Sequence, residues 1–156
     1  MKKVKIGFVG VGCISPIYLK NLTEMFREVE IIGVCDLIRE RAEKAVEEYN
    51  IPKLYEDMYE LFNDPEVDSV LNITRPYEHY EVTKQALLHG KHVYSEKPLG
   101  ADWEEGTELV RLAKEKGLWI GGAPDTFMGA GIQTCRKFID EGRLGEVIGG
   151  RCVMAH

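Results

Sequence analysis

"GFVGVGCISPIYLKNL", residues 7–22, sets two glycines, Gly10 and Gly12, between an apolar run and an amphipathic one. That order reads as strand, tight turn, helix. The turn follows G-x-G-x-x-G with one departure: Ser15 stands where the third glycine would be. Gly10 permits the tight turn, and Gly12 has no Cβ to obstruct a phosphate approaching the backbone. The N-terminus of the next helix offers free N–H groups and a partial positive charge, so the whole is an anion cradle. The third glycine of such loops serves helix–strand packing, a role serine is small enough to fill. Ser15 is also a candidate cap for the helix, with Pro16 tolerated in its first turn.

Working outward from the loop, short apolar runs alternate with amphipathic segments. Val4 to Val9 reads as a buried strand, and Leu19, Leu22 and Phe26 lie at helical spacing after it. Ile31 to Cys35 is a second strand. "IRERAEKAVEEYN" then sets Ala42, Ala45, Val46 and Tyr49 on one helical face, its charged flank being a solvated surface. A Leu54–Tyr55 strand, a small helix over 57–62 and a strand over 67–73 follow. Pro76 opens a helix carrying Val82, Ala86 and Leu87, closed by Gly90. His92 to Ser95 is a strand. Asp102 with Glu105 reads as a capping box for a helix buried through Leu109, Leu112 and Ala113. Leu118 to Ile120 is a sixth strand. Ile132, Cys135 and Ile139 mark a last helix ending at Gly142, and 147–154 is a final strand-like run. Strands buried between helices make an α/β fold, a doubly wound parallel (Rossmann) sheet over residues 1–122. Residues 123–156 read as a connecting helix and the first strand of a second, α+β domain. A lone strand there adds to a sheet edge, pairs with another chain, or begins that domain.

Composition narrows the function classes. A formal net charge of −6 argues against a nucleic-acid partner. No stretch approaches a membrane span, and the run before Cys13 is broken by Lys5 and glycines, unlike a signal segment; the expected location is cytoplasmic. Cys13, Cys35, Cys135 and Cys152 form no C-x-x-C pair and no metal set, and read as small buried thiols of a reducing compartment.

Three further places carry chemistry. Asp36 ends the second strand, where a carboxylate accepts hydrogen bonds from an adenosine ribose and repels a 2′-phosphate. That favours NAD, with NADP as the second option because Arg39 and Arg41 lie nearby. "NITRPYEHYE", residues 72–81, sets Thr74, Arg75 and Pro76 at the carboxyl end of a strand, where ligands of such sheets bind. Pro76 equally serves helix initiation, and His79 reads as an exposed first-turn residue. "SEKPLG", residues 95–100, sets Glu96 and Lys97 at the end of the next strand. Lys97 reads equally as a general acid/base or as a surface lysine before a turn.

In this order and spacing, the glycine loop, Asp36, "ITRPYEH", "EKPLG" and "GGAPDTFMGAGIQTCRKFIDEGRLGEV" resemble the N-terminal part of the Gfo/Idh/MocA oxidoreductases, the glucose-fructose oxidoreductase and inositol dehydrogenase superfamily. The resemblance implies that Gly10, Gly12, Cys13 and Ile14 hold a pyrophosphate and Asp36 the adenosine ribose. It implies that Thr74, Arg75, Pro76 and His79 line the cofactor channel, and that Glu96, Lys97 and Pro98 flank the nicotinamide across a cis Lys97–Pro98 bond. Lys97 would touch the hydroxyl of a sugar or polyol substrate during hydride transfer. Asp125 would mark the turn toward the substrate domain. Members are considerably longer, so the chain reads as a cofactor domain cut just past its boundary, able to bind cofactor without full activity. Homo-oligomers would form through the terminal strand. A free-standing dinucleotide-binding module with a regulatory or partner-binding role is the competing reading. A methyltransferase is disfavoured, since "KIGFVG" has no acidic residue before the glycines.

Overall fold

Phe8 and Val9, consecutive residues of strand β1 (Val4–Val9), enter two different cores. Side chains alternate across a strand, so a run apolar at every position must be covered on both faces. On one face Phe8 packs in a cluster with Leu19, Val34, Ala42, Ala45 and Leu71. On the other, Val9 joins Leu61, Val70, Leu87, Val93 and Leu109. The helical residues among them come from α1 (Ser15–Glu24) and α2 (Arg39–Tyr49) on the first face, and from α3 (Met58–Asn63), α4 (His79–Leu88) and α5 (Trp103–Lys116) on the second; the others are strand residues.

The computed structural model describes residues 2–151 and 153. The remaining strands are β2 (Val29–Cys35), β3 (Lys53–Leu54), β4 (Ser69–Asn72), β5 (His92–Ser95) and β6 (Ile120–Gly122). They form one parallel sheet in the order β3-β2-β1-β4-β5-β6. The chain reverses direction across the sheet between β1 and β4, so their carboxyl ends open the crevice where ligands of doubly wound sheets bind. Residues 1–123 form one compact unit and residues 124–156 another. Within the second, a 3-10 turn (Thr126–Met128) leads into α6 (Ala130–Asp140), which buries none of its side chains. Among the described residues, no helix is long and apolar enough to cross a membrane.

Several boundaries differ from the sequence reading, each for a local reason. Helix α1 stops at Glu24, and Phe26 is 53% exposed rather than packed. Leu118 is not in β6: its amide donates to the Ala113 carbonyl at 2.8 Å, closing α5 behind left-handed Gly117. Pro76 lies in a turn closed by the Glu78 amide on the Arg75 carbonyl, so α4 begins only at His79. Asp102 caps α5 as expected, accepting from the Glu105 amide at 2.9 Å, but Glu105 reaches past it to the Ala101 amide. The described residues of the run from Val147 form no strand; Cys152 and Met154 lie outside the described residues. A strand exists only through its ladder, and this run has no partner among the described residues.

Candidate functional site

Gly10 follows β1 with φ +90°, and a Cβ there would stand 2.7 Å from the Ile73 carbonyl oxygen. Glycine is therefore required by the fold, where the β1 loop passes the end of β4. At Gly12 the opposite holds: a Cβ would meet nothing within 4 Å. The fold does not need a glycine there, and its bare backbone faces open space. The amides of Gly12, Cys13 and Ile14 have no acceptor among the described residues. They precede α1, so three unbonded donors and the positive end of a helix dipole converge on one short segment.

Asp36, directly after β2, is bound to this loop. Its Oδ2 accepts from the Val11 amide at 2.6 Å, and its Oδ1 from the Ile38 amide at 2.8 Å. Each oxygen keeps lone-pair capacity for a ligand hydroxyl. Ser15 does not cap α1. Its buried hydroxyl donates back to the Gly12 carbonyl at 2.7 Å, fixing the loop from beneath. Arg39 pairs with Glu43 at 2.9 Å and Glu56 at 2.6 Å, which draws it into the α2 surface. Arg41 instead lines a cleft of about 290 Å³ with Gly12, Cys13, Lys44 and Tyr49.

The cysteines divide. Cys35 is buried, and desolvation, reinforced by the neighbouring Asp36 charge, pushes its thiol up to about 12, so it is an inert packing residue. Cys13 and Cys135 are exposed, contrary to expectation: Cys13 sits on the open loop, and α6 buries nothing.

After β4, Thr74 bonds through its hydroxyl to Asn72, while Arg75 is exposed and pairs with Glu78. His79 is 1% exposed, so it is not the open first-turn residue that its position suggests. After β5, Glu96 is nearly buried: its Oε1 accepts from the Tyr18 hydroxyl of α1 at 2.7 Å, and its Oε2 from the Lys97 amide at 2.9 Å. The Lys97–Pro98 bond is cis. Both residues are exposed, and among the described residues the Lys97 ammonium makes no hydrogen bond or ion pair.

The structure thus gathers the glycine loop, Asp36 and the stretches after β4 and β5 at the carboxyl ends of β1, β2, β4 and β5. Tyr18 and Asn72 join them, and no motif in the sequence marks either residue. The available signals were a tyrosine on the face of α1 below the loop and an asparagine ending an apolar strand. Leu37, 96% exposed beside Asp36, adds an apolar surface to this rim. No group of three or more potential metal ligands occurs among the described residues.

These residues fit a nicotinamide dinucleotide: an open backbone at Gly12, three free amides for a diphosphate, and a carboxylate for a ribose. The comparisons agree. Residues 4–121 match the model of the Gfo/Idh/MocA oxidoreductase family, described as an NAD-binding Rossmann fold. The inositol 2-dehydrogenase/D-chiro-inositol 3-dehydrogenase of Lactiplantibacillus plantarum is 32% identical over 150 residues, 91% of this chain and 41% of that protein. The NADP(+)-type scyllo-inositol 2-dehydrogenase of Bacillus subtilis is 29% identical over 144 residues, 92% of this chain and 39% of that protein. The structure of Lactobacillus casei myo-inositol dehydrogenase with NAD(H) and myo-inositol superposes with a TM-score of 0.83 at 28% identity, covering 92% of this chain and 43% of that one. The chain spans about two-fifths of the length of these relatives. Fold, loop and relatives converge: the chain belongs to the Gfo/Idh/MocA oxidoreductase family, as its NAD-binding Rossmann domain.

Proposed function

We propose that Gly10, Gly12, Cys13, Ile14 and Asp36 hold NAD in this chain, and that the enzyme to which such a domain belongs oxidises or reduces an inositol-like polyol. The observation that carries the binding part is the open Gly12 backbone with its free neighbouring amides beside Asp36. The polyol part is supported by the names of the relatives.

Each residue then has a physical task. The amides of Gly12, Cys13 and Ile14 donate to the diphosphate, and the α1 dipole favours its charge. The Asp36 carboxylate accepts from the ribose hydroxyls and opposes a 2′-phosphate, which sets NAD above NADP. Arg39 is held away by Glu43 and Glu56, so Arg41 is the cation left to soften that choice. Thr74, Arg75, Pro76 and Pro98 border the crevice at the ends of β4 and β5. Glu96 anchors its loop to α1 through Tyr18. Lys97, with an unengaged ammonium, hydrogen-bonds the substrate oxygen and stabilises charge that develops there. The nicotinamide, when bound, supplies the hydride acceptor or donor.

Calorimetric titration of the chain with NADH and NADPH tests this reading. NADH should bind in the micromolar range and NADPH about tenfold more weakly, one unfavourable contact of about 1.4 kcal/mol. Asp36→Ala should weaken NADH and narrow that ratio. Binding of neither nucleotide, or an unchanged ratio in the variant, contradicts it.

A further inference from the structure

Asn72, the last residue of β4, uses both polar atoms of its side chain and its main-chain carbonyl in one buried network. Its amide nitrogen donates to the His79 carbonyl and to Thr83 Oγ1, both at 3.0 Å. Its Oδ1 accepts from the Thr74 hydroxyl at 2.7 Å and the Thr74 amide at 3.2 Å. Its main-chain carbonyl accepts from the Glu96 amide at 2.9 Å. Asn72 and Thr83 are both fully buried. Unpartnered, such groups would be costly; fully partnered, they fix one geometry.

The His79 ring extends this network to the next loop. Nε2 lies 2.9 Å from the Thr74 carbonyl oxygen and Nδ1 lies 2.6 Å from the Pro98 carbonyl oxygen. A carbonyl only accepts, so the ring nitrogen that carries hydrogen is the donor. One buried ring therefore spans the β4–α4 and β5–α5 loops, touching the backbone of each on the same side of the crevice. Neither of those two carbonyls belongs to a helix or strand, so the ring takes the place that a ladder would have.

We propose that His79 is the positioning residue for the nicotinamide end of the site. It ties the Lys97–Pro98 segment to Thr74 without itself touching cofactor or substrate. The proposal rests on the cofactor reading above. The adenosine and diphosphate end is held by other residues, Gly12 to Ile14 and Asp36, none of which joins the network. Loss of the ring should therefore spoil one half of the site and spare the other, which a general loss of stability would not do.

The test compares NADH with ADP-ribose, which lacks the nicotinamide, as ligands of the chain and its variants. His79→Leu removes both ring contacts. It should weaken NADH about tenfold, roughly one well-held polar contact, and leave ADP-ribose within about twofold. His79→Gln keeps an amide donor. It should fall between wild type and His79→Leu, and it is the variant to read if the leucine chain does not fold. Equal loss of both ligands, or loss of neither, overturns the positioning role alone. A wild-type chain that binds neither ligand overturns the cofactor reading, and this proposal with it.

Discussion

At the amino ends of the strands, Lys5, Lys53, Asp64 and Glu66 meet in one ion network; at the carboxyl ends, among the described residues, Asp36 and Lys97 stand unpaired by opposite charges and three amides go unbonded. The first rim is closed. Lys53 bonds both Asp64 and Glu66 at 2.6 Å, and the Tyr55 hydroxyl donates to Asp64 at 2.7 Å. Lys91, nearly buried, places its ammonium on the carbonyls of Asp64 and Val67, and desolvation lowers its pKa. Each of these side chains answers another group of the chain. The second rim is organised just as firmly beneath its surface, by Asn72, His79, Ser15 and Glu96, but among the described residues the Gly12, Cys13 and Ile14 amides and the Lys97 ammonium have no partner. Charge alone does not distinguish a binding edge from a structural one. What distinguishes them here is whether hydrogen-bonding capacity is used up inside the molecule.

The comparison breaks most sharply at the glycines. Gly12→Val should leave the melting temperature within about two degrees, because its side chain enters open space, yet weaken NADH at least a hundredfold if that space belongs to the cofactor. Gly10→Ala should do the reverse in kind, costing about 1–3 kcal/mol of stability through its positive φ and the Ile73 carbonyl. Thermal unfolding and calorimetry on the two variants separate these outcomes. A Gly12→Val chain that binds NADH normally would remove the cradle.

A smaller effect belongs to the other rim. The Lys53 ammonium, then the Tyr55 hydroxyl, hold the Asp64 carboxyl down from 3.8 to about 2. A carboxyl lowered in the folded state adds stability above its unfolded value, and that contribution disappears as pH falls from about 4 toward 2. Asp64→Asn should cost about 1 kcal/mol at neutral pH, modest because the network is open to water on one side, and flatten the acid limb of the stability curve. NADH affinity should not change. A variant that loses NADH binding would show that the two rims are coupled.

Much of this was legible in residues 7–22. The apolar run, Gly10, Gly12 and the alternating pattern beyond them are local signals, and local signals gave the sheet and Asp36. The misses trace to hydrogen-bond partners that residue pattern does not reveal. His79 reads as an exposed first-turn residue because nothing near it in sequence reveals that its ring meets Pro98. Ser15 reads as a cap, but its hydroxyl finds the Gly12 carbonyl instead. The run from Val147 reads as a strand by composition, whereas pairing requires a neighbour that local pattern does not supply. Tyr18 joins Glu96 across the whole half-sheet, a contact no spacing rule predicts.

Backbone amide spectra of the chain, recorded by NMR during an NADH titration, test the contrast between the rims most directly. The account predicts the largest shifts at Gly12, Cys13 and Ile14, with Lys53, Asp64 and Glu66 unmoved. Saturable shifts centred on the amino-end rim, or none at the glycine loop, would contradict it.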